Sequence, residues 1–283
     1  MRRKRFDRSD VELPAIGQGT WNFPESGARL DEAKRALLRG IELGMTHLDT
    51  AEMYGGGRVE ELLGEILAGV PRDRLFVTTK VLPGNASYRG TLEAADRSLR
   101  RLRMEYVDLY LLHWPSDLPL EETMRGLEAL VTSGKSRFIG VSNFETGAMV
   151  EAAEYLSAAH LSCNQVLYHL GERGPEHRLI PRARELGIAI VAYTPFGRGQ
   201  FPRVSTQGGD TLGRIADKHG ATTRQVILAF LTREPNVFTI PKAATVAHVE
   251  ENAGAGDLRL DAGDIAAIEA TFPLGRERPL ATL

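Results

Sequence analysis

Residues 44–57 read GMTHLDTAEMYGGG. The run THLDT inside them is short, apolar and β-branched and ends in a carboxylate, the pattern of a strand with Asp49 at its carboxyl tip. Tyr54 follows five residues later on a glycine-rich loop. In open α/β sheets and α/β barrels, ligands sit at the carboxyl ends of strands, on loops held by a rigid scaffold. Two later runs end the same way, LFVTTK on Lys80 and VDLYLLHW at His113. Asp49, Tyr54, Lys80 and His113 thus form a set of titratable groups, each at or just past the end of a separate expected strand or on its following loop.

Outward from this stretch, strands and helices alternate. A hairpin around residues 8–10 is expected to close one end of the domain. Residues 16–19 make a short strand, and Leu30, Ala33, Leu37 and Ile41 then recur at helical spacing until Gly44. Val59, Leu62, Leu63 and Ile66 form the next helical face, and Thr91 is read as the cap of a helix carrying Leu92, Ala95, Leu99 and Leu102. A helix over 121–133 precedes FIGVS. Met149, Ala152, Ala153 and Leu156 precede LSCNQV, and Leu179, Ala183 and Leu186 precede IAIVAY. An irregular run over 194–209 is long enough to be functional or mobile. Helices around 212–218 and 223–233 then lead to the strand VFTIP. Eight strand-helix units without a linker argue for one domain over residues 1–283, a closed (β/α)₈ barrel of the TIM type with a short N-terminal hairpin. Neither a strand-turn-helix GxGxxG nor a Walker A sequence occurs, which disfavours a doubly wound sheet.

Composition excludes several classes. The 283 residues are 42% hydrophobic and 25% charged, with a net charge of −2, so no global field recruits nucleic acid or an anionic membrane. The opening MRRKR reads as a solvated chain start rather than a nucleic-acid arm. No signal peptide or membrane-spanning run is visible, and a cytoplasmic location is expected. Cys163 stands alone in an apolar strand, where a small buried hydrophobe is expected rather than a catalytic thiol. The histidines show no metal-ligand spacing.

The segments LDTAEMYG, VTTKVLP, DLYLLHWP, GVSNF, NQVLYHL, AYTPFGRG and IPKAATVAHVEEN together resemble the aldo-keto reductase superfamily, in order and at similar separations, from about residue 13 to about 267. GQGTW, RGPEHRLIPRAR and the IPKA form of the last motif look most like small bacterial members that reduce methylglyoxal and other aldehydes. The resemblance implies a nicotinamide cofactor bound on a barrel and a small-molecule carbonyl substrate. Carbonyl reduction needs a hydride, which no side chain supplies, and a proton donor with a pKa near working pH. A neighbouring ammonium is expected to lower the pKa of a tyrosine, and a carboxylate paired with that ammonium fixes its position. Resemblance assigns Tyr54 as the acid, Lys80 and Asp49 as its partners, and His113 as the group that orients the carbonyl oxygen. Taken singly, Asp49 also reads as a cap, Tyr54 as a packed aromatic, Lys80 as a solvated strand end and His113 as a core histidine.

Cofactor contacts carry over position by position. Ser142, Asn143 and Gln165 match the groups that hold the nicotinamide carboxamide, and Tyr193 matches the aromatic that stacks on its ring. Thr20, Trp21 and Asp49 flank the same site, and Thr194, Pro195, Phe196, Gly197 and Arg198 form the loop expected over the pyrophosphate. Ile240, Lys242, Ala243, His248, Glu251 and Asn252 fall in the last motif, Lys242 matching the lysine that meets the adenosine 2′-phosphate. Ala243 and His248 stand where many relatives have Ser and Arg. A neutral imidazole lacks the fixed charge and fork of Arg, so NADPH is expected with NADH also possible. Trp21, Tyr54, His113, Trp114 and Phe196 suggest a partly aromatic substrate pocket, and the short tail after Phe272 favours small aldehydes. Two rival readings remain: a Schiff-base lyase using Lys80, and a non-enzymatic cofactor sensor or regulatory subunit. A monomer without nucleic-acid or membrane partners is expected.

Overall fold

The computed structural model describes residues 1–199, 202 and 205–282. The expected hairpin is present: β1 (Arg3–Arg5) and β2 (Glu12–Pro14) pair antiparallel, with Lys4 opposite Leu13. Eight parallel strands follow. They are β3 (Gln18–Gly19), β4 (His47–Asp49), β5 (Phe76–Val81), β6 (Val107–Leu112), β7 (Ser136–Ser142), β8 (Leu161–Leu167), β9 (Ala189–Tyr193) and β10 (Val237–Thr239). Each pairs with its neighbour in chain order. A parallel bridge from Ile16 to Thr239, with the Gly17 N–H donating to the Thr239 carbonyl at 2.7 Å, joins the last strand to the first. The sheet is therefore a closed (β/α)₈ barrel.

One helix follows each of the first six barrel strands: α1 (Gly27–Glu42), α2 (Arg58–Leu67), α3 (Tyr88–Leu102), α4 (Leu120–Thr132), α5 (Thr146–Glu154) and α6 (Leu179–Leu186). Two, α7 (Gln207–His219) and α8 (Thr223–Leu231), lie between β9 and β10, and α9 (Val246–Gly254) and α10 (Ala262–Thr271) complete the ring. The helical periodicity is what places them. Leu30, Ala33, Leu37 and Ile41 of α1 are all buried, as are Val59, Leu62 and Leu63 of α2, so each helix lays an apolar stripe on the outside of the strands.

Alternate residues of each strand face inward. Phe76, Leu109, Leu111, Cys163, Val191 and Phe238 pack together there, and the hairpin inserts Phe6 among them. The Phe6 ring meets Phe76, Phe138 and Phe238 edge-on, with centroids 5.1, 5.4 and 6.0 Å away. Cys163 is buried and unpaired, and burial pushes its thiol up, as expected of a core residue.

Three expectations need correction. Thr91 is not a cap: the Ser87 hydroxyl accepts from the Gly90 N–H at 3.1 Å and starts α3, and Thr91 is buried in its first turn. Helix α7 begins at Gln207, before the expected 212, because the Thr206 hydroxyl caps it by accepting from the Gly209 N–H. Of the irregular run before it, residues 200, 201, 203 and 204 lie outside the described residues. MRRKR is a solvated start only in part: Arg3 and Arg5 are exposed, whereas Arg2 and Lys4 turn inward. Lys4 Nζ donates to the carbonyls of Thr232, Glu234 and Val237, and Arg2 donates to the Thr232 carbonyl at 2.8 Å. Arg2 and Lys4 thus share the Thr232 carbonyl at the end of α8, the pole of a helix that favours positive charge.

Candidate active site

Strand order brings the four titratable groups together. Asp49 is the last residue of β4, Lys80 lies near the end of β5, and His113 directly follows β6. Tyr54 opens a short turn, Tyr54–Gly57, in which Gly55, Gly56 and Gly57 take φ of 57°, 62° and 97°. Three successive left-handed residues reverse the chain into α2 immediately after the tyrosine, a path that glycine takes without a Cβ penalty. That is the physical content of the YGGG sequence.

Lys80 and Asp49 are fully buried and form an ion pair with Nζ–Oδ1 at 2.6 Å. Lys80 also donates to the Thr50 carbonyl at 2.7 Å and, at 3.4 Å, to the Tyr54 hydroxyl. The second oxygen of Asp49 accepts from the Gln165 amide at 2.7 Å. Burial alone would pull Lys80 down, but Asp49 and Tyr54 together hold its pKa above the ordinary value and keep it charged. Burial pushes the Asp49 carboxyl up, with Lys80 and Gln165 pulling against it. Tyr54 departs from expectation: burial raises its pKa, and the opposing pull of Lys80 does not bring it below the ordinary value. The resting tyrosine is a neutral phenol facing a fixed ammonium.

The His113 ring stands edge-on to Tyr54, with centroids 5.8 Å apart, and lies 4.9 Å from the Trp114 ring. Burial, then Lys80, lowers its pKa to about 3, so it is neutral at working pH. Its Nδ1 is buried without a hydrogen-bond partner among the described residues. A proton there would find no acceptor, which favours the tautomer carrying it on Nε2.

Asp49, Tyr54 and His113 line a cavity of about 210 Å³ at the carboxyl end of the barrel, with Lys80 fully buried behind them. Of the residues expected at the site, Thr20, Trp21, Ser142, Asn143, Gln165, Tyr193, Thr194, Arg198, Ile240, Lys242 and Trp114 also line it. The Ser142 hydroxyl donates to the Gln165 carbonyl at 2.8 Å, and the Tyr193 hydroxyl donates to Asn143 Oδ1 at 2.8 Å. The Asn143 amide reaches back to the His113 carbonyl at 3.2 Å. Asn143 and Thr194 hold φ of 62° and 55°. For a β-branched threonine this is strained backbone, of a kind that persists where a site over-determines it.

Other expected residues lie elsewhere. Phe196 packs against the core around Leu228 and Val249, under the Arg224 guanidinium, and adds nothing to the aromatic mouth. Pro195 is buried beside it, and Gly197 closes a tight turn onto the Thr194 carbonyl at 3.0 Å. Ala243 packs against the same cluster. Asn252 is buried in α9, the Glu251 carbonyl accepts from Gln225 Nε2 at 2.9 Å, and His248 is exposed in the first turn of α9. Two lining residues escaped the sequence reading, Gly19 and Met53. Met53 sits between Asp49 and Tyr54 in LDTAEMYG, and its position there was the available signal.

On one rim of the cavity, the Arg198 guanidinium lies over the Trp21 ring at 5.0 Å, and Lys242 lies on the same lining. Neither cation has an ion-pair partner among the described residues. Two unpaired cations beside a row of amides and an aromatic ring suit a dinucleotide carrying several phosphates. No group of three or more His, Cys, Asp or Glu among the described residues is arranged to hold a metal ion, and no helix among them is long and apolar enough to cross a membrane.

A barrel with a buried carboxylate, ammonium and imidazole and a half-buried phenol at one end of its strands defines a class of oxidoreductase. The chain belongs to the aldo/keto reductase family, whose model matches residues 15–272. It is 40% identical over 264 residues to methylglyoxal reductase YeaE of Escherichia coli strain K12, covering 93% of each chain. Glyoxal reductase of Bacillus subtilis strain 168 is 35% identical over 262 residues, 92% of this chain and 89% of that one. A crystal structure of an aldo-keto reductase from Klebsiella pneumoniae in complex with NADPH superposes with a TM-score of 0.91, at 38% identity and over the whole of both chains.

Proposed function

We propose that this protein reduces small aldehydes and ketoaldehydes of the methylglyoxal type to alcohols, with NADPH as the hydride donor and Tyr54 as the proton donor. One observation carries the reading: a neutral, half-buried Tyr54 phenol 3.4 Å from an ammonium that is itself fixed by Asp49 at 2.6 Å. When bound, the cofactor supplies the hydride that ends on the carbonyl carbon. The chain supplies the rest. Tyr54 gives its proton to the carbonyl oxygen, and the phenolate left behind is stabilised by Lys80, whose charge is in place before the reaction begins. The proton on His113 Nε2 orients the same oxygen and shares its developing charge. Ser142, Asn143 and Gln165 would hold the nicotinamide amide, Tyr193 its ring face, and Arg198 and Lys242 its phosphates.

The Schiff-base rival finds no support, since an attacking amine must be free and neutral whereas Lys80 is buried, paired and held charged. The sensor rival gains nothing from an intact tetrad. A cytoplasmic location is part of the same proposal, the single unpaired Cys163 thiol fitting a reducing compartment. The test is loss of NADPH absorbance against methylglyoxal, glyoxal and several aromatic aldehydes. Turnover is expected across the panel, with Lys242→Ala weakening NADPH binding roughly ten-fold more than NADH binding, the scale of one lost charged hydrogen bond. No turnover with NADPH bound would sink the reading.

A further inference from the structure

Glu52 is a buried acid that the chemistry above leaves unused. It lies between Asp49 and Tyr54, and its contacts lead to the strand that carries Lys80, to the turn that follows that strand and to α3. Past the end of β4 the chain keeps pairing with β5: the Thr50 N–H donates to the Thr78 carbonyl at 2.9 Å and the Glu52 N–H to the Lys80 carbonyl at 3.3 Å. The side chain extends that ladder. Glu52 Oε1 accepts from the Leu82 N–H at 2.7 Å and from Asn85 Nδ2 at 3.0 Å, and Oε2 faces Arg97 of α3 at 3.6 Å.

We propose that Glu52 is a positioning residue for the reduction, tying the loop that bears Tyr54 to the end of β5 so that the tyrosine hydroxyl stays within reach of Lys80. The contact it guards has little slack. At 3.4 Å the Lys80–Tyr54 bond is already at the long limit of hydrogen bonding, so a shift of a few tenths of an ångström breaks it. By contrast the Asp49–Lys80 pair at 2.6 Å has its own strong geometry and does not depend on the loop. Glu52 therefore governs the acid and not the ion pair behind it.

The inference rests on Tyr54 being the acid. The groups facing Tyr54 are Asp49 from β4, Lys80 from β5 and His113 after β6, and only the Lys80 contact is expected to change. Three variants test it: Glu52→Ala, Glu52→Gln, which keeps an acceptor for Leu82 and Asn85, and Asn85→Ala, which removes one of the two donors. With Glu52→Ala, kcat is expected to fall roughly ten- to hundred-fold, the scale of a misplaced reacting group, with NADPH affinity by fluorescence within about two-fold of wild type. The alkaline limb of kcat should move to higher pH, because a phenol further from the ammonium ionises later. Glu52→Gln should restore kcat to within a few-fold, and Asn85→Ala should move the limb the same way by less. If Glu52→Ala does not fold, the Asn85→Ala limb decides the question. Lowered melting temperatures with wild-type kcat and an unmoved limb would overturn the proposal. Full activity of Tyr54→Phe would instead overturn the assignment of the acid, so the two failures are distinct.

Discussion

The two ends of the barrel interior are built on opposite principles. At the amino end, Phe6 is wedged among Phe76, Phe138 and Phe238 in an aromatic seal, with His47 edge-on to Phe76 and Lys4 Nζ over the Phe238 ring. At the carboxyl end, the same strands carry Asp49 and Lys80, with His113 just past its strand, Tyr54 above them and Thr194 in strained backbone. One end contributes stability and the other consumes it, and the register of one closed sheet connects them. The buried charges are tolerated because each is matched: Lys80 by Asp49, and Asp49 in turn by Gln165.

Lys80→Met should break the comparison most severely. It leaves the Asp49 carboxylate buried without its cation, costing about 3–5 kcal/mol, and it removes the support for the Tyr54 phenolate. Urea unfolding should show the loss at neutral pH and a partial recovery as pH falls, since protonation neutralises the stranded acid. Turnover should drop by at least about 10². Phe6→Ala at the other end should cost a comparable 3–5 kcal/mol, yet leave kcat per folded molecule unchanged. Should Phe6→Ala lower kcat as much as stability, the two ends are not separable.

How far the sequence shows these two ends differs as well. Strand tips bearing Asp49, Lys80 and His113 were legible because a short apolar run ending in a polar residue is a local pattern, and the YGGG turn announces its own backbone. Phe6 as a plug was not legible, nor was Lys4 as a half-buried donor to three carbonyls, because their partners lie some 70 to 230 residues away in chain order. The raised pKa of Tyr54 escaped for a related reason. The sequence shows the adjacent ammonium but not the burial that opposes it. Gln165 matches a cofactor contact by its motif, and its bond to Asp49 appears only once the barrel closes.

A smaller effect sharpens the contrast through pH. His47, buried in the lower barrel with Nε2 3.1 Å from the Thr78 hydroxyl, has its pKa lowered to about 3 by burial and then by Lys80, and His113 is lowered equally. Both ionise near 6.5 when unfolded, so the unfolded chain binds more protons below that pH. Stability is therefore fully present above about 6.5 and declines as pH falls toward 3, with each histidine adding a slope approaching ~1.4 kcal/mol per pH unit. His47→Leu should remove one such slope between pH 6.5 and 5 in urea titrations and leave the kcat profile unmoved. An unchanged slope would show that His47 is protonated in the fold.

The central claim is that a neutral Tyr54 delivers the proton. Its most direct test is a single-turnover measurement of NADPH oxidation with methylglyoxal, wild type beside Tyr54→Phe, both saturated with cofactor. The account expects the phenylalanine variant to bind NADPH normally, to melt at nearly the same temperature and to transfer hydride at least about 10²-fold more slowly. Transfer at the wild-type rate would mean that the proton comes from elsewhere, and the role given to the Asp49–Lys80–Tyr54 array would be wrong.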